Sequence, residues 1–491
     1  MAFLMTLATQ NCALTDAEPT RLEHDSLGPV DVPADAYYGP HTARAVANFP
    51  ISGRSTSEIP DLVVALAEVK LAAARANHDL GALAPGKFGA IDQACREIIA
   101  GQLHDQFPVD CIQGGAGTST NMNINEVVAN RALEILGHDR GAYDELHYLD
   151  DVNRSQSTND VFPTALKIAI YRAIDPLLGA LTQLEEAFAG KGDEFADVLT
   201  MSRTQLQDAV PMTLGLVFRG FAAGIAEERA QIDQAAQTLK TINLGGTAIG
   251  TEINTPAGYT ALVRDHLDAI TGIEVRTAPN LLNATSDMGP FVQVSGALKR
   301  AALKLSKISN DLRLMSSGPQ TGLGDIELPA VQAGSSIMPG KVNPVIPEVV
   351  SQVAFVVAGN DLTISMAAEG GQLQLNPFEP VIVTRLHESI TQLANAATVL
   401  TEKCVRGITT SPERLRHRVH HSVGLATALT PLIGYSAATR LAQEALMNGE
   451  SLVDLVLRDE LASAEELDAT LEPDRLVHPH EVGTTSPSTG A

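Results

Sequence analysis

The 491-residue sequence contains no tryptophan, and aromatic residues make up only 4% of it. Large cores must therefore be built from Ala, Leu, Ile and Val, a composition that suits closely packed helices. Apolar and charged residues stand at 44% and 19%, which is ordinary for a globular protein. No uninterrupted apolar run reaches about 18 residues, so the sequence predicts no membrane-spanning helix.

Cysteine and basic residues are also scarce. The four cysteines, Cys12, Cys95, Cys111 and Cys404, form no CxxC pair, which argues against a zinc ribbon or a disulfide framework. Free thiols are typical of a reducing compartment, so we predict a cytoplasmic protein. With 34 Lys and Arg against 58 Asp and Glu, the net charge is −24. That charge argues against a nucleic-acid or anionic-membrane partner, because both require basic surface.

The two ends of the chain lack the pattern of packed elements. The mildly apolar start has no positively charged region, so we predict a disordered extension over residues 1–20 instead of a signal peptide. The polar residues 480–491 are predicted to form a disordered tail. Before the tail, His417, His420 and His421 are spaced i, i+3, i+4, and we interpret them as a solvated or interface face and predict no metal site.

Long helices dominate the middle of the chain. Three stretches repeat apolar residues at spacings of three and four, which is a heptad pattern. Their apolar positions are Leu214, Phe218, Phe221, Ile225, Ile232, Ala235, Leu239 and Ile242; Val294, Leu298, Ala301, Leu305, Ile308, Leu312 and Met315; and Val383, Leu386, Ile390, Leu393, Ala397, Leu400 and Cys404. Two further stretches, 162–188 and 347–367, are apolar on more than one face. Five such helices predict a mainly α bundle packed against copies of itself, with a large all-α monomer as the alternative.

Four segments rich in Gly, Ser, Thr and Asn interrupt this pattern. They are GGAGTSTNMNINE (114–126), NRSQSTND (153–160), SRTQLQDAVP (202–211) and AGSSIMPGKVNPVIPE (333–348). Each places small donors at or near a predicted helix start, where backbone N–H groups are also free, and this combination suits a carboxylate or phosphate. The fourth segment is not a P-loop, because five residues instead of four separate Gly334 from Gly340 and Val342 follows Lys341.

The stretch GSSIMPGKVNP, residues 334–344, resembles the signature of the aspartase/fumarase superfamily. The other three segments resemble that family's segments in the same order, and the likeness covers roughly residues 21–479. The resemblance implies a homotetramer with a twenty-helix core, in which each active site is shared by three subunits. It also implies three domains: an N-terminal domain (21–152), a central helical-bundle domain (153–405) and a small C-terminal helical domain (406–479).

The family's reaction removes a proton beside a carboxylate and expels a group from the next carbon, which gives fumarate. The intermediate is a dianionic, enediolate-like carboxylate that preorganised donors stabilise. By resemblance, Ser335 is the general base, and Lys341 and Asn343 hold that carboxylate. The resemblance gives these residues as substrate-binding: Thr118, Asn121, Ser157, Thr158, Asn159, Thr204, Gln205 and Ser336. Glu348 is a supporting residue, which either pairs with a group near the second segment or serves as a first-turn acid of a helix.

Positions outside the signature favour the ammonia-lyase branch of the family. Gln205 stands where fumarases carry a His, Ala116 where they use a Ser, and Thr158 where they tend to have a second Ser. The resemblance therefore implies reversible elimination of ammonia from L-aspartate, with no required cofactor and with Mg²⁺ as an optional activator. Fumarate hydration, elimination from a related amine-substituted succinate, and a structural role without activity are the alternatives. Glu252 in place of a usual Gly, and Leu216 in place of a usual Gln, keep the amine substrate open.

Overall fold

The computed structural model of the chain describes residues 19–477 apart from residue 335. The predicted tail at 480–491 lies outside the described residues, as does the predicted extension at 1–20 except for Pro19 and Thr20. Helices predominate in the described part, which confirms the mainly α fold class. The helices are α1 (Pro40–Asn48), α2 (Pro60–Asp79), α3 (Pro85–Ile99), α4 (Thr118–Ile135), α5 (Thr158–Glu194), α6 (Leu214–Ala236), α7 (Tyr259–Thr271), α8 (Leu281–Ser286), α9 (Gly289–Met315), α10 (Val345–Glu369), α11 (Glu379–Lys403), α12 (Pro412–His421), α13 (Leu425–Ile433), α14 (Tyr435–Asn448), α15 (Leu452–Arg458), α16 (Ala464–Thr470) and α17 (Pro473–Val477).

Short strands add three two-stranded pairings to the described part of the chain. The strands are β1 (Thr20–Asp25), β2 (Gly28–Pro33), β3 (Leu199–Thr204), β4 (Gln207–Thr213), β5 (Thr241–Ile242) and β6 (Arg276–Thr277). β1 pairs with β2 and β3 with β4 in antiparallel hairpins, whereas β5 and β6 pair in parallel. The pairing of β3 with β4 shifts register between Met201 and Arg203.

The five predicted long helices correspond to α5, α6, α9, α10 and α11, which are 37, 23, 27, 25 and 25 residues long. All residues of the three predicted apolar seams are buried except Met315, which is half-buried. Glu228, the one position of the first seam that is not apolar, is also buried. Its carboxylate lies 2.9 Å from the Arg300 guanidinium, so the buried charge is paired.

Helix α10 is long and apolar enough to cross a membrane by length and composition, but only 39% of its most apolar window is buried. A helix with this composition also occurs in the core of a helical bundle. Its exposed apolar residues include Phe355, Leu362 and Met366.

The chain divides into two compact units, each built from three stretches. The first comprises the described part of Met1–Ala173 with Ala236–Val292 and Thr363–His387. The second comprises Ile174–Ala235, Gln293–Leu362 and the described part of Glu388–Ala491. The division into three domains at residues 152, 405 and 479 stays a prediction.

The first unit contains more helix than the sequence predicted. α2 and α3 lie outside the five long helices that were predicted, whereas α4 begins within the segment 114–126, where a helix start was predicted. α4 buries Asn121, Asn125 and Glu126 with its apolar residues, so its sequence has no polar face. Both Glu126 carboxylate oxygens accept backbone N–H groups at the start of α1, which explains how a buried acid is accommodated there.

The second unit corrects the prediction for the segment 202–211. The segment does not begin a helix; it forms most of the β3–β4 hairpin. The bases of these strands are apolar and buried, because Leu199 and Met201 pack into one core cluster with Val419, Leu425 and Leu429 of the C-terminal helices. The hairpin is therefore fixed at its base, while its tip is exposed.

Candidate functional site

The first turns of α4 and α5 meet in the first unit. α4 begins at Thr118 and α5 at Thr158. The Asn121 amide Nδ2 on α4 donates a hydrogen bond to Thr158 Oγ1 on α5 at 3.0 Å. Two helix starts, each the positive end of a helix dipole, are thereby brought together. Such an arrangement suits an anionic ligand.

The start of α5 is capped by the side chains of Ser157 and Asp160. The backbone N–H of Asn159 donates to Ser157 Oγ at 3.2 Å, and the backbone N–H of Ser157 donates to Asp160 Oδ1 at 2.9 Å. Asp160 Oδ2 accepts the N–H groups of Gly245 and Thr247 at 2.9 and 3.1 Å. Burial raises the pKa of Asp160 to about 6, while these N–H groups favour its ionised form. The carboxylate therefore joins the helix start to the GGTAIG loop.

The same loop holds Asn159. The Asn159 amide Nδ2 donates to the Ala248 carbonyl at 2.8 Å, and the Asn159 carbonyl accepts from Asn243 Nδ2 at 3.0 Å. Ser157, Thr158 and Asn159 are all half-buried. Their side chains are consequently held in place but still have solvent-facing surface for a ligand.

A turn of left-handed residues precedes α4. Gly115, Ala116 and Gly117 have φ values of +92°, +56° and +82°. A Cβ on Gly117 would lie 2.3 Å from the Phe162 ring, so only glycine fits there. The exposed Thr118 donates its hydroxyl to the Gly115 carbonyl at 2.6 Å. Thr118 must therefore break this bond before it donates to a ligand.

A lysine that the sequence analysis missed lies beside Asn121. Lys70, in the middle of α2, is fully buried. Its ammonium donates to Asn121 Oδ1, Asn153 Oδ1 and Gln156 Oε1 at 2.8, 2.9 and 2.9 Å. Among the described residues no carboxylate lies within ion-pair distance of Lys70, and burial lowers its pKa to about 7. A lysine within the apolar run VVALAEVKLAAA was the available signal.

The signature forms a loop in the second unit, and its predicted base Ser335 lies outside the described residues. Asn343 Nδ2 donates to the Gly334 carbonyl at 2.8 Å, which closes the neck of the loop. A Cβ on Gly334 would lie 2.0 Å from the Lys341 carbonyl oxygen, so the neck requires glycine. Ser336 and Lys341 are exposed in the loop. One Asn343 N–H is engaged by the neck, and the other has no acceptor among the described residues.

Glu348 lies in the first turn of α10, where an acid is favoured by the helix dipole. Its carboxylate is 3.9 Å from the Arg313 guanidinium of α9, and both side chains are about 40% exposed. This geometry agrees with the first-turn alternative for Glu348.

Thr204 and Gln205 lie at the exposed tip of the β3–β4 hairpin. Gln205 and Leu206 have φ values of +54° and +63°, as a two-residue turn with both central residues left-handed requires. Such turns normally contain Asn or Gly, so this tip holds a strained backbone.

The predicted site residues thus fall into three groups. Asn121, Ser157, Thr158 and Asn159 come together in the first unit, with Thr118 one turn from Asn121. In the second unit, Ser336, Lys341 and Asn343 share one loop, and Thr204 and Gln205 share the hairpin tip. Their roles stay predictions.

Glu252 and Leu216, two departures from the family pattern, are both exposed. Glu252 has a φ of +57°, and its carboxylate accepts a hydrogen bond from the Thr260 hydroxyl of α7. Leu216 is 43% exposed in the first turn of α6. Neither side chain contacts a predicted substrate-binding residue of its own unit by a hydrogen bond.

The three C-terminal histidines do not converge. His417 and His421 stack with ring centroids 4.0 Å apart, and His421 Nδ1 faces the His417 carbonyl at 2.8 Å. Over residues 19–477, residue 335 excepted, no three His, Cys, Asp or Glu side chains gather as a metal-binding group. We assign no step of the reaction to Mg²⁺.

Comparison with known proteins gives a consistent picture. A family model described as lyase matches residues 28–359, and one described as fumarase C C-terminus matches residues 425–478. The aspartate ammonia-lyase of Pseudomonas aeruginosa is 55% identical over 94% of this chain and 97% of its own length. That of Escherichia coli is 51% identical over 94% of this chain and 96% of its own length.

Two solved structures of similar proteins superpose closely on this chain. The cobalt-bound fumarate lyase:delta crystallin of Brucella melitensis superposes with a TM-score of 0.91 at 53% identity, covering 93% of this chain and 99% of that one. The class II fumarase of Schistosoma mansoni superposes with a TM-score of 0.88 at 35% identity, covering 94% of this chain and 100% of that one.

Proposed function

The chain belongs to the lyase family that contains the aspartate ammonia-lyases and class II fumarases, and on that premise we propose that it is an aspartate ammonia-lyase. The reaction is the reversible elimination of ammonia from L-aspartate to give fumarate. One observation favours the ammonia-lyase branch over the fumarase branch: this chain is 51–55% identical to two aspartate ammonia-lyases but 35% identical to a class II fumarase. Gln205, Ala116 and Thr158 support the same branch.

The substrate is a dicarboxylate, and we propose that one of its carboxylates binds where α4 and α5 begin. Asn121, Ser157, Thr158 and Asn159 supply amide and hydroxyl donors at that point. The dipoles of the two helices favour an anion there without any net positive surface. A chain of net charge −24 can in this way bind a dianion.

The proposed chemistry takes place at the signature loop. Ser335, as the general base, takes a proton from the carbon beside one carboxylate, and the bonding electron pair moves into that carboxylate as an enediolate. Lys341 and Asn343 stabilise the added negative charge. The pair then returns to form the carbon–carbon double bond while the carbon–nitrogen bond breaks and ammonia leaves. Thr204, Gln205 and Ser336 hold the substrate, and Glu348 supports the start of α10.

The assembly is proposed to be a homotetramer whose active sites each draw on three subunits. The protein is expected in the cytoplasm, without nucleic-acid or membrane partners. Turnover is expected to need no cofactor, and Mg²⁺ is expected to act only as an activator. Assays with a chelator and with added Mg²⁺ test this, since abolition of turnover by the chelator would overturn it.

Fumarate absorbance tests the reaction directly. With purified protein, L-aspartate should give fumarate, and L-malate should give none. Turnover of malate but not of aspartate would make the chain a fumarate hydratase. Turnover of neither would favour a related amine-substituted succinate or a structural role.

A substitution tests the base. Ser335→Ala should lower kcat for L-aspartate by at least about a thousandfold, because no other group would take the proton. The variant should keep the sedimentation coefficient of the wild type. Retained turnover would remove Ser335 from the role of base.

A further inference from the structure

We propose that Lys70 is a positioning residue that sets the direction of the hydrogen bonds in the substrate site. It holds the Asn121 amide with its NH₂ group towards Thr158, so that the Thr158 hydroxyl donates its hydrogen to the substrate carboxylate. The inference rests on the proposed function, because it takes the ligand to be a dicarboxylate. Lys70 itself lies in the interior of α2, fully buried, and acts through its neighbours.

The donor count of the ammonium group gives the first step. A lysine ammonium has three N–H donors and no acceptor. Its three bonds go to Asn121 Oδ1, Asn153 Oδ1 and Gln156 Oε1 at 2.8, 2.9 and 2.9 Å. Each amide must therefore turn its oxygen to Lys70 and its NH₂ group elsewhere, since an NH₂ group facing the ammonium would leave two donors in contact.

The second step follows from the Asn121 amide. With its oxygen on Lys70, its Nδ2 donates to Thr158 Oγ1 at 3.0 Å and to Asn153 Oδ1 at 3.3 Å. Thr158 Oγ1 is thus an acceptor within the protein. Within the described part of the chain, the Thr158 hydroxyl hydrogen has no acceptor of its own. The hydroxyl, half-buried at the first residue of α5, is left to donate to a ligand.

The opposite amide orientation would reverse this outcome. A flipped Asn121 would present Oδ1 to Thr158, and the Thr158 hydrogen would turn inwards to satisfy it. Only hydroxyl lone pairs would then face an anionic carboxylate, which is repulsive. Without Lys70, only the 3.3 Å bond from Asn121 Nδ2 to Asn153 Oδ1 would favour the required orientation of the Asn121 amide, so part of the binding free energy would be spent on selecting it.

The positive charge of Lys70 also favours binding of a dianion in the substrate site. The titratable groups that bear on its ammonium are Asp160 of α5 and Cys95 of α3. α4 and the 153–156 loop present only the neutral amides of Asn121, Asn153 and Gln156 to it. Asp160 is already bound by three backbone N–H groups. The buried positive charge is therefore available to attract a dianion at the adjacent helix starts.

This arrangement predicts a pH dependence of ligand binding. Because burial lowers the pKa of Lys70 to about 7, the ligand-free protein loses this proton as pH rises through that value. A neutral amine has only two donors for three amide oxygens and carries no charge. A dianion favours the protonated form, so its affinity should fall as pH rises above about 7.

The test compares Lys70→Met with Lys167→Met. Lys167 is a second buried lysine of the same unit, on α5, and it donates to the Thr241 carbonyl at 2.7 Å without touching the Asn121 amide. The probe is fumarate, which does not titrate between pH 6 and 9. Isothermal titration calorimetry of the full-length chain gives its dissociation constant, and initial rates give KM and kcat for L-aspartate.

At pH 6.5 we expect Lys70→Met to raise the fumarate dissociation constant and KM by at least tenfold, with a smaller fall in kcat. Lys167→Met should stay within twofold of the wild type in all three. Between pH 6.5 and 8.5 the wild-type affinity for fumarate should fall, whereas Lys70→Met should give a flat profile. A loss of packing alone would raise the dissociation constant without removing the pH dependence.

Two results would overturn the proposal. One is fumarate binding by Lys70→Met within threefold of the wild type, and the other is a flat wild-type pH profile. If Lys70→Met does not fold, the wild-type profile decides alone. A wild type that neither binds fumarate nor converts L-aspartate would instead refute the proposed function, which keeps the two failures distinguishable.

Discussion

Buried polar side chains, each held by several hydrogen bonds, define the geometry of the first unit. Lys70, Glu126 and Asp160 are all less than 1% exposed. Glu126 accepts backbone N–H groups of α1, Asp160 accepts those of the GGTAIG loop, and Lys70 orients three amides. Apolar contacts stabilise without fixing direction, whereas hydrogen bonds fix which atom faces which. A site that must present donors to a carboxylate therefore depends on hydrogen bonds to orient those donors.

Gly117 offers a prediction at the same scale. In Gly117→Ala the new Cβ would lie 2.3 Å from the Phe162 ring, in a backbone with φ of +82°. We expect the free energy of unfolding to fall by about 2–5 kcal/mol, because overpacking costs about 1–3 kcal/mol and a left-handed non-glycine residue about 1–2 kcal/mol. Urea denaturation followed by circular dichroism measures this.

Gly114 is the matched control in the same segment. A Cβ there would meet the Phe49 ring at 3.8 Å, an ordinary contact. Gly114→Ala should change the free energy of unfolding by less than about 1 kcal/mol. Equal losses in the two variants would contradict the assigned clash with Phe162.

At the scale of elements, the sequence predicted the helices whose buried apolar residues recur at regular spacings. The three seams gave α6, α9 and α11, because one apolar face in a heptad pattern is visible without the fold. Only the start of α4 was predicted, because its buried face carries asparagines and a glutamate whose partners lie far away in sequence. Lys70 was missed for the same reason, since its three partners are 51 to 86 residues distant.

The β3–β4 hairpin was missed for a different reason. Its turn, Gln205 and Leu206, contains neither glycine nor asparagine, so the usual turn signal is absent. The family resemblance nevertheless placed Thr204 and Gln205 among the site residues. Motifs thus identified side chains whose local structure the residue pattern did not indicate.

The hairpin carries the prediction at this scale. Asp325, 2% exposed, pairs with Arg203 of β3 at 2.5 Å and with Arg418 of α12 at 3.0 Å. Asp325→Asn leaves two guanidinium groups without their carboxylate, so we expect the free energy of unfolding to fall by about 3 kcal/mol. Since Arg203 adjoins Thr204, KM for L-aspartate should also rise. Denaturation curves and initial rates measure both effects.

Glu327 provides the control for Asp325. Its side chain is 57% exposed and lies 3.6 Å from the Arg414 guanidinium. Exposed ion pairs contribute little, so Glu327→Gln should change the free energy of unfolding by less than about 1 kcal/mol. If Asp325→Asn were equally mild, the ion pairs would not be what anchors the hairpin.

At the scale of the whole molecule, helix α10 carries exposed apolar side chains. Phe355, Leu362 and Met366 on α10 are 67%, 62% and 66% exposed in a chain with a net charge of −24. Their spacings of seven and four place them on one face of the helix. A stripe of large apolar side chains on an otherwise acidic protein is typical of a surface that another chain covers. We infer that copies of this chain cover it in the proposed homotetramer.

Leu362→Glu tests this inference. A carboxylate in the centre of the stripe would be buried without a partner on assembly, which costs several kcal/mol at every copy of the interface. Sedimentation velocity should show a homotetramer for the wild type and smaller species for the variant. Because each active site is proposed to draw on three subunits, turnover of L-aspartate should fall with the tetramer. Leu27→Glu, at a 79% exposed leucine in the β1–β2 turn, should keep both tetramer and turnover. A Leu362→Glu variant that sediments like the wild type would place the interface on another face of the chain.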